Sequence, residues 1–124
     1  MKPTCDLKDI QPTLVKWVES RLGKKAMLRM ERARRFIEEA VELAQAVGLA
    51  ERDVKLIVDH VYGKPKGRIG QEIGGVYTTL VTLAQASNCD AHICALMECD
   101  RIHTLSPEKF QNRQKQNIKD GIGK

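Results

Sequence analysis

The residues of this chain best suited to chemistry are carboxylates at helical spacing. Glu38, Glu39 and Glu42 fall together in one Glu- and Ala-rich segment, and Glu72 stands alone in a later segment of apolar and small residues. At about 100° of rotation per residue, Glu42 lies about 60° round the helix surface from Glu39, and Arg32 and Arg35 lie close to it. The apolar positions Met30, Ala33, Phe36, Ile37, Ala40, Leu43, Ala44 and Val47 form a stripe centred about 100° from Glu39. Glu39 and Glu42 therefore sit at the rim of the apolar face, and Glu38 turns further toward water. Glu72 stands in the same relation to a stripe of Ile73, Val76, Leu80, Leu83 and Ala84. If the two helices pack antiparallel through their stripes, Glu39, Glu42 and Glu72 can converge. Mg²⁺ takes hard oxygen ligands in octahedral geometry and keeps waters or phosphate oxygens in its shell, so such a cradle suits it. The same spacing also describes an ordinary salt-bridged helix face.

Lys64, Lys66 and Arg68 lie in the loop that leads into the helix carrying Glu72. Cations beside a helix N-terminus can meet phosphate oxygens; a solvated loop has the same composition. Cys89, Cys94 and Cys99 recur every five residues, with His92 and His103 nearby and Cys5 far away in the chain. Steps of five turn about 140° on a helix, so the three cysteines do not face one ion, and short Cys pairs of the zinc-site kind are missing. Reduced cysteines acting as small apolar residues are the expectation.

These residues need elements to position them, and the pattern is helical throughout. Gln11 to Leu22 carries Leu14, Val15, Val18 and Leu22 on one side and ends at Gly23. A long helix runs from about Lys24 to Val47 and stops at Gly48, a natural residue for a C-terminal cap. A short helix covers about Ala50 to Val61. The glycine- and proline-punctuated segment 62–67 is a loop. A fourth helix spans about Ile69 to Ser87. A fifth starts at Asp90 and reaches about Thr104. Ser106 and Pro107 mark a further start that frays into a basic tail. Strand-like alternation and internal repeats are absent. The expected fold is an all-α bundle of about five helices, one domain over 1–124 with its core at about 11–105 and a tail at 106–124.

Length, composition and charge agree. The 124 residues are 42% hydrophobic, 30% charged and 4% aromatic, which excludes a disordered tail and disfavours a β-sandwich. Segment 73–89 is free of charge but holds two glycines and four Ser or Thr hydroxyls, so it is a poor membrane span. Residues 1–6 have no apolar run, and a cleaved leader is not expected. A soluble, cytoplasmic domain without a membrane partner follows as the expectation. The net charge of +5 is unevenly spread: residues 21–35 carry net +6, residues 36–100 net −5 and residues 101–124 net +4. An acidic centre with basic flanks suits a divalent metal with a polyanion attached. A nucleic-acid reader would more often gather its positive charge on one element, so nucleic acid is disfavoured.

The string Arg35-Phe36-Ile37-Glu38-Glu39-Ala40-Val41-Glu42-Leu43, followed by Gln71-Glu72-Ile73-Gly74-Gly75-Val76, resembles the MazG-like all-α NTP pyrophosphohydrolase superfamily. It is nearest the phage- and prophage-type branch, whose second motif reads Glu-x-Gly-Gly-Val. The Trp17-containing first helix, the segment 58–63 and the Leu80-x-x-Leu83-Ala84 continuation are similar too, so the resemblance covers about residues 14–105. It implies hydrolysis of a nucleoside triphosphate to a monophosphate and pyrophosphate, with Mg²⁺ (or Mn²⁺) as cofactor and water as nucleophile. It implies Glu39, Glu42 and Glu72 as metal ligands and catalytic residues. Arg35, Glu38, Lys64, Lys66 and Arg68 are the candidates to contact substrate. A homodimer or homotetramer is expected. The family's last motif aspartate is Gly75 here, and Asp59 is a candidate replacement ligand. Two alternatives stay open: a nucleotide-binding relative that no longer hydrolyses, and a small basic helical protein that binds nucleic acid.

Overall fold

A computed structural model describes residues 7–123, and every described element is helical. Six α-helices follow in order: α1 (Ile10–Leu22), α2 (Arg29–Val47), α3 (Glu51–Tyr62), α4 (Ile69–Ala86), α5 (Ala91–Thr104) and α6 (Pro107–Lys119). Two short 3-10 turns, Leu7–Asp9 and Lys24–Met27, precede α1 and α2. The all-α expectation holds, with six α-helices in place of about five. The terminal stretch forms a regular helix, which opens at Pro107 after an extended Ser106.

The long helix expected from Lys24 begins five residues later. Leu28 is extended and separates the 3-10 turn from α2. The reason lies in packing: Ala26 in the turn is 1% exposed, and the turn packs along α1. Burial of Ala26 overrides a run of good helix formers. The end of α2 is as expected. Gly48 takes a positive φ of 95°, its N–H reaches the Gln45 carbonyl, and the Leu49 N–H reaches that of Ala44. This double closure satisfies carbonyls that the last turn would leave open. Asn88, with φ of 58°, closes α4 in the same way, its N–H on Gln85 O and that of Cys89 on Ala84 O.

The chain divides into two compact units, residues 1–37 with 92–124 and residues 38–91. In the first unit, α1 packs on both 3-10 turns and on α6. Val18, Ala26 and Cys99 are its buried apolar residues among those described. Trp17 of α1 meets Phe110 of α6 edge-on at 4.7 Å between ring centres, and His103 of α5 at 6.2 Å. Gln111 Nε2 donates to the Arg21 carbonyl across the same pair of helices. Cys99 is disulfide-bonded, which corrects the expectation of reduced thiols at that position, whereas Cys89 and Cys94 are free and exposed. Cys5 lies outside the described residues.

The second unit holds the C-terminal half of α2, all of α3 and all of α4. None of its residues is buried. Among the described helices, none is long and apolar enough to cross a membrane.

Candidate functional site

The candidate carboxylates all fall in the second unit. Glu39 and Glu42 are exposed on α2 and Glu38 is half-buried, which reverses the expectation that Glu38 turns furthest toward water. Asp59 is exposed near the end of α3, and Glu72 is exposed in the first turn of α4. A carboxylate in that turn is favoured by the positive end of the helix dipole. Arg68 stands at the N-cap of α4 with an extended backbone, and its carbonyl accepts the Glu72 N–H at 2.9 Å. Lys64, Lys66 and Arg68 are all exposed along the loop leading to it.

The loop and Glu72 are closely fitted. The Glu72 carboxylate lies against Gly67, where a β-carbon would collide with it. Gly67 thus gives the carboxylate its seat. The sequence marked this glycine only as loop punctuation; its place five residues before Glu72 was the available signal.

The antiparallel packing of α2 on α4 is not formed within one chain, because extended packing among the described elements is confined to α1 and its neighbours. The convergence of Glu39, Glu42 and Glu72 is not formed with it. Among the described residues, no group of three or more His, Cys, Asp or Glu side chains could hold a metal ion. The donors themselves are hard oxygens of the type Mg²⁺ takes. At Gly74 and Gly75, nothing lies within 4 Å of where a side chain would begin. The hydroxyls of α4 are turned inward on their own helix: Thr78 donates to Gly74 O and Thr82 to Thr78 O.

The first unit contributes a separate cavity of about 430 Å³ lined by Leu14, Val15, Trp17, Met27, Arg32 and Ile102, among others. None of the sequence-derived site residues lines it. The Trp17 indole N–H is buried there without a hydrogen-bond partner. Arg32 donates from Nε to the Ala26 carbonyl at 2.6 Å. Burial pulls its guanidinium below the usual arginine range, as does the charge of Arg35, against a smaller opposite pull from Glu31.

No known protein family matches the chain, and no curated protein or solved structure matches it either.

Proposed function

We propose that this chain is a Mg²⁺-dependent nucleoside triphosphate pyrophosphohydrolase that works as a homodimer or homotetramer. One observation carries the reading. The exposed acidic run of α2 and the seated Glu72 of α4 belong to one compact unit, with the cations Lys64, Lys66 and Arg68 on the loop entering α4. In this reading Glu39, Glu42 and Glu72 hold Mg²⁺, with Asp59 as the reserve donor. The bound ion supplies Lewis-acid stabilisation to the polyphosphate. A carboxylate of this set accepts a proton from the attacking water. Lys64, Lys66 and Arg68 offset the negative charge that builds on the phosphate oxygens. In this reading Glu38, half-buried on α2, orients substrate.

The open space at Gly75 favours a second reading, a relative that binds nucleotide and no longer hydrolyses it. Pyrophosphate release from a panel of ribo- and deoxyribonucleoside triphosphates in Mg²⁺ separates the two. The expected result is turnover of at least one member, reduced on the order of a thousandfold by Glu39→Gln. Nucleotide binding without turnover would select the second reading. Absence of both would remove the nucleotide reading altogether.

A further inference from the structure

Charge that is divided along the sequence is gathered by the fold. The unit of residues 1–37 and 92–124 carries sixteen Lys and Arg against eight Asp and Glu, whereas residues 38–91 carry five against eight. The basic flanks of the chain therefore meet in one compact body, and the separation that argued against nucleic acid in the sequence is removed. Within that body α6 has the composition of a polar reading element. Its 13 residues hold four Lys or Arg, five Asn or Gln, and Glu108 as the one acid. Phe110, Gln114 and Asn117 are half-buried at helical spacing, on the side that Phe110 presents to Trp17 of α1. On the opposite side Lys109, Asn112, Lys115, Gln116 and Lys119 are exposed. Gln116 is bound to Asp120 at 2.9 Å, and Asn112 is the amide at the middle of that face. The bond from Gln111 to the Arg21 carbonyl fixes α6 beside the end of α1, where Lys24 and Lys25 follow, both exposed.

We propose that the solvent face of α6 is a docking surface for duplex DNA, with the helix lying in the major groove and Lys24 and Lys25 on the flanking backbone. The proposal is independent of the nucleotide reading above and uses no residue of that site. Charge complementarity calls for a polyanion, and the side-chain types narrow the choice. Lysines meet phosphates, while side-chain amides pair with adenine edges in the major groove. A membrane-surface helix sets Trp, Phe or Leu opposite its cations. Here that side is occupied by α1, and the exposed Ile118 lies only about 80° from Phe110. Single strands are gripped by stacking aromatics, and this face has none, since Trp17 and Phe110 are packed on each other. A helix about 10–12 Å across enters the ~12 Å major groove of B-form DNA. The deep, narrow major groove of duplex RNA shuts it out.

The test is fluorescence anisotropy of a labelled DNA duplex of mixed sequence with the purified full chain, in EDTA at several salt concentrations. With metal and nucleotide both absent, failure here is distinct from failure of the hydrolase reading. The expected result is binding that weakens with salt, log affinity falling against log salt with a slope of about −3. Lys115→Gln with Lys119→Gln is expected to weaken binding about tenfold or more at low salt and to reduce that slope by about two. Both lysines are exposed and glutamine is a good helix former, so α6 stays formed. Unchanged Trp17 emission checks that it remains on α1. Arg52→Gln with Lys55→Gln removes the same charge from α3 and is expected to change affinity less than twofold. Equal losses from the two pairs, or no loss from either, overturn the assignment to α6. Absence of wild-type binding at about 50 mM salt overturns the proposal outright. Equal or tighter binding to a single strand of the same length, to duplex RNA or to vesicles containing phosphatidylserine also overturns it and assigns the face to that partner.

Discussion

Glu98 and Arg101, one turn apart on α5, form a two-pronged pair at 2.8 and 2.6 Å. The hydrogen bonds from Arg101 hold the Glu98 carboxyl below its ordinary value of 4.5. Its pKa is depressed in the fold, so the stabilisation is complete above the unfolded value and is lost as pH falls through the folded one. More than half of both side chains is exposed, so the pair is worth at most ~0.5 kcal/mol. Thermal melts from pH 6 down to about pH 3 should therefore fall slightly more steeply for the wild type than for Glu98→Gln. Gly67 has a different role at this scale. Gly67→Ala meets the flexible end of Glu72, which can swing aside, so stability should change by no more than about 0.5 kcal/mol. If Glu72 is a metal ligand, Mn²⁺ binding followed by titration calorimetry should weaken on the order of tenfold in the same variant. That the carboxylates stand on helices was legible in the sequence, because helical periodicity is local; their relative exposure was not, because it depends on what the helix face meets. The seat at Gly67 was not, because it depends on how a loop folds back over a helix start.

Helices show the same division between local and distant causes. The ends of α2 and α4 follow from Gly48 and Asn88, residues that tolerate positive φ, and residue type alone marks Gly48 as a stop. The break at Leu28 was hidden, since it is set by burial of Ala26 beneath α1, a contact between segments that local patterning does not encode. The apolar stripes of α2 and α4 were legible as stripes, but what they face was not. Periodicity gives a helix its apolar side and says nothing of which chain supplies the neighbour. Gly74 has a definite consequence here. It lies within α4 with open space where a side chain would start and on the helix's polar side, so nothing described in the chain uses its missing β-carbon. Gly74→Ala should stabilise the protein by about 0.5–1 kcal/mol, measured as a higher denaturant midpoint at unchanged slope.

Across the molecule, two units with different internal resources share one chain. The first has buried residues and an aromatic contact that joins α1 to α6; the second has neither. Their unfolding should not coincide. At low protein concentration calorimetry is expected to resolve two transitions, with the one from the second unit rising as concentration increases and the other staying fixed. A single transition independent of concentration would contradict this. The division of aromatic residues makes the two events separable by light. The chain has one tryptophan and two tyrosines. Trp17 is held against Phe110 in the first unit, whereas Tyr62 and Tyr77 are exposed in the second. Emission excited at the red edge, where only indole absorbs, therefore reports the first unit alone and is blind to everything α3 and α4 do. Tyrosine emission and its quenching by iodide report the second. A fluorimeter can thus follow each half of this protein by colour, without a label or a mutation.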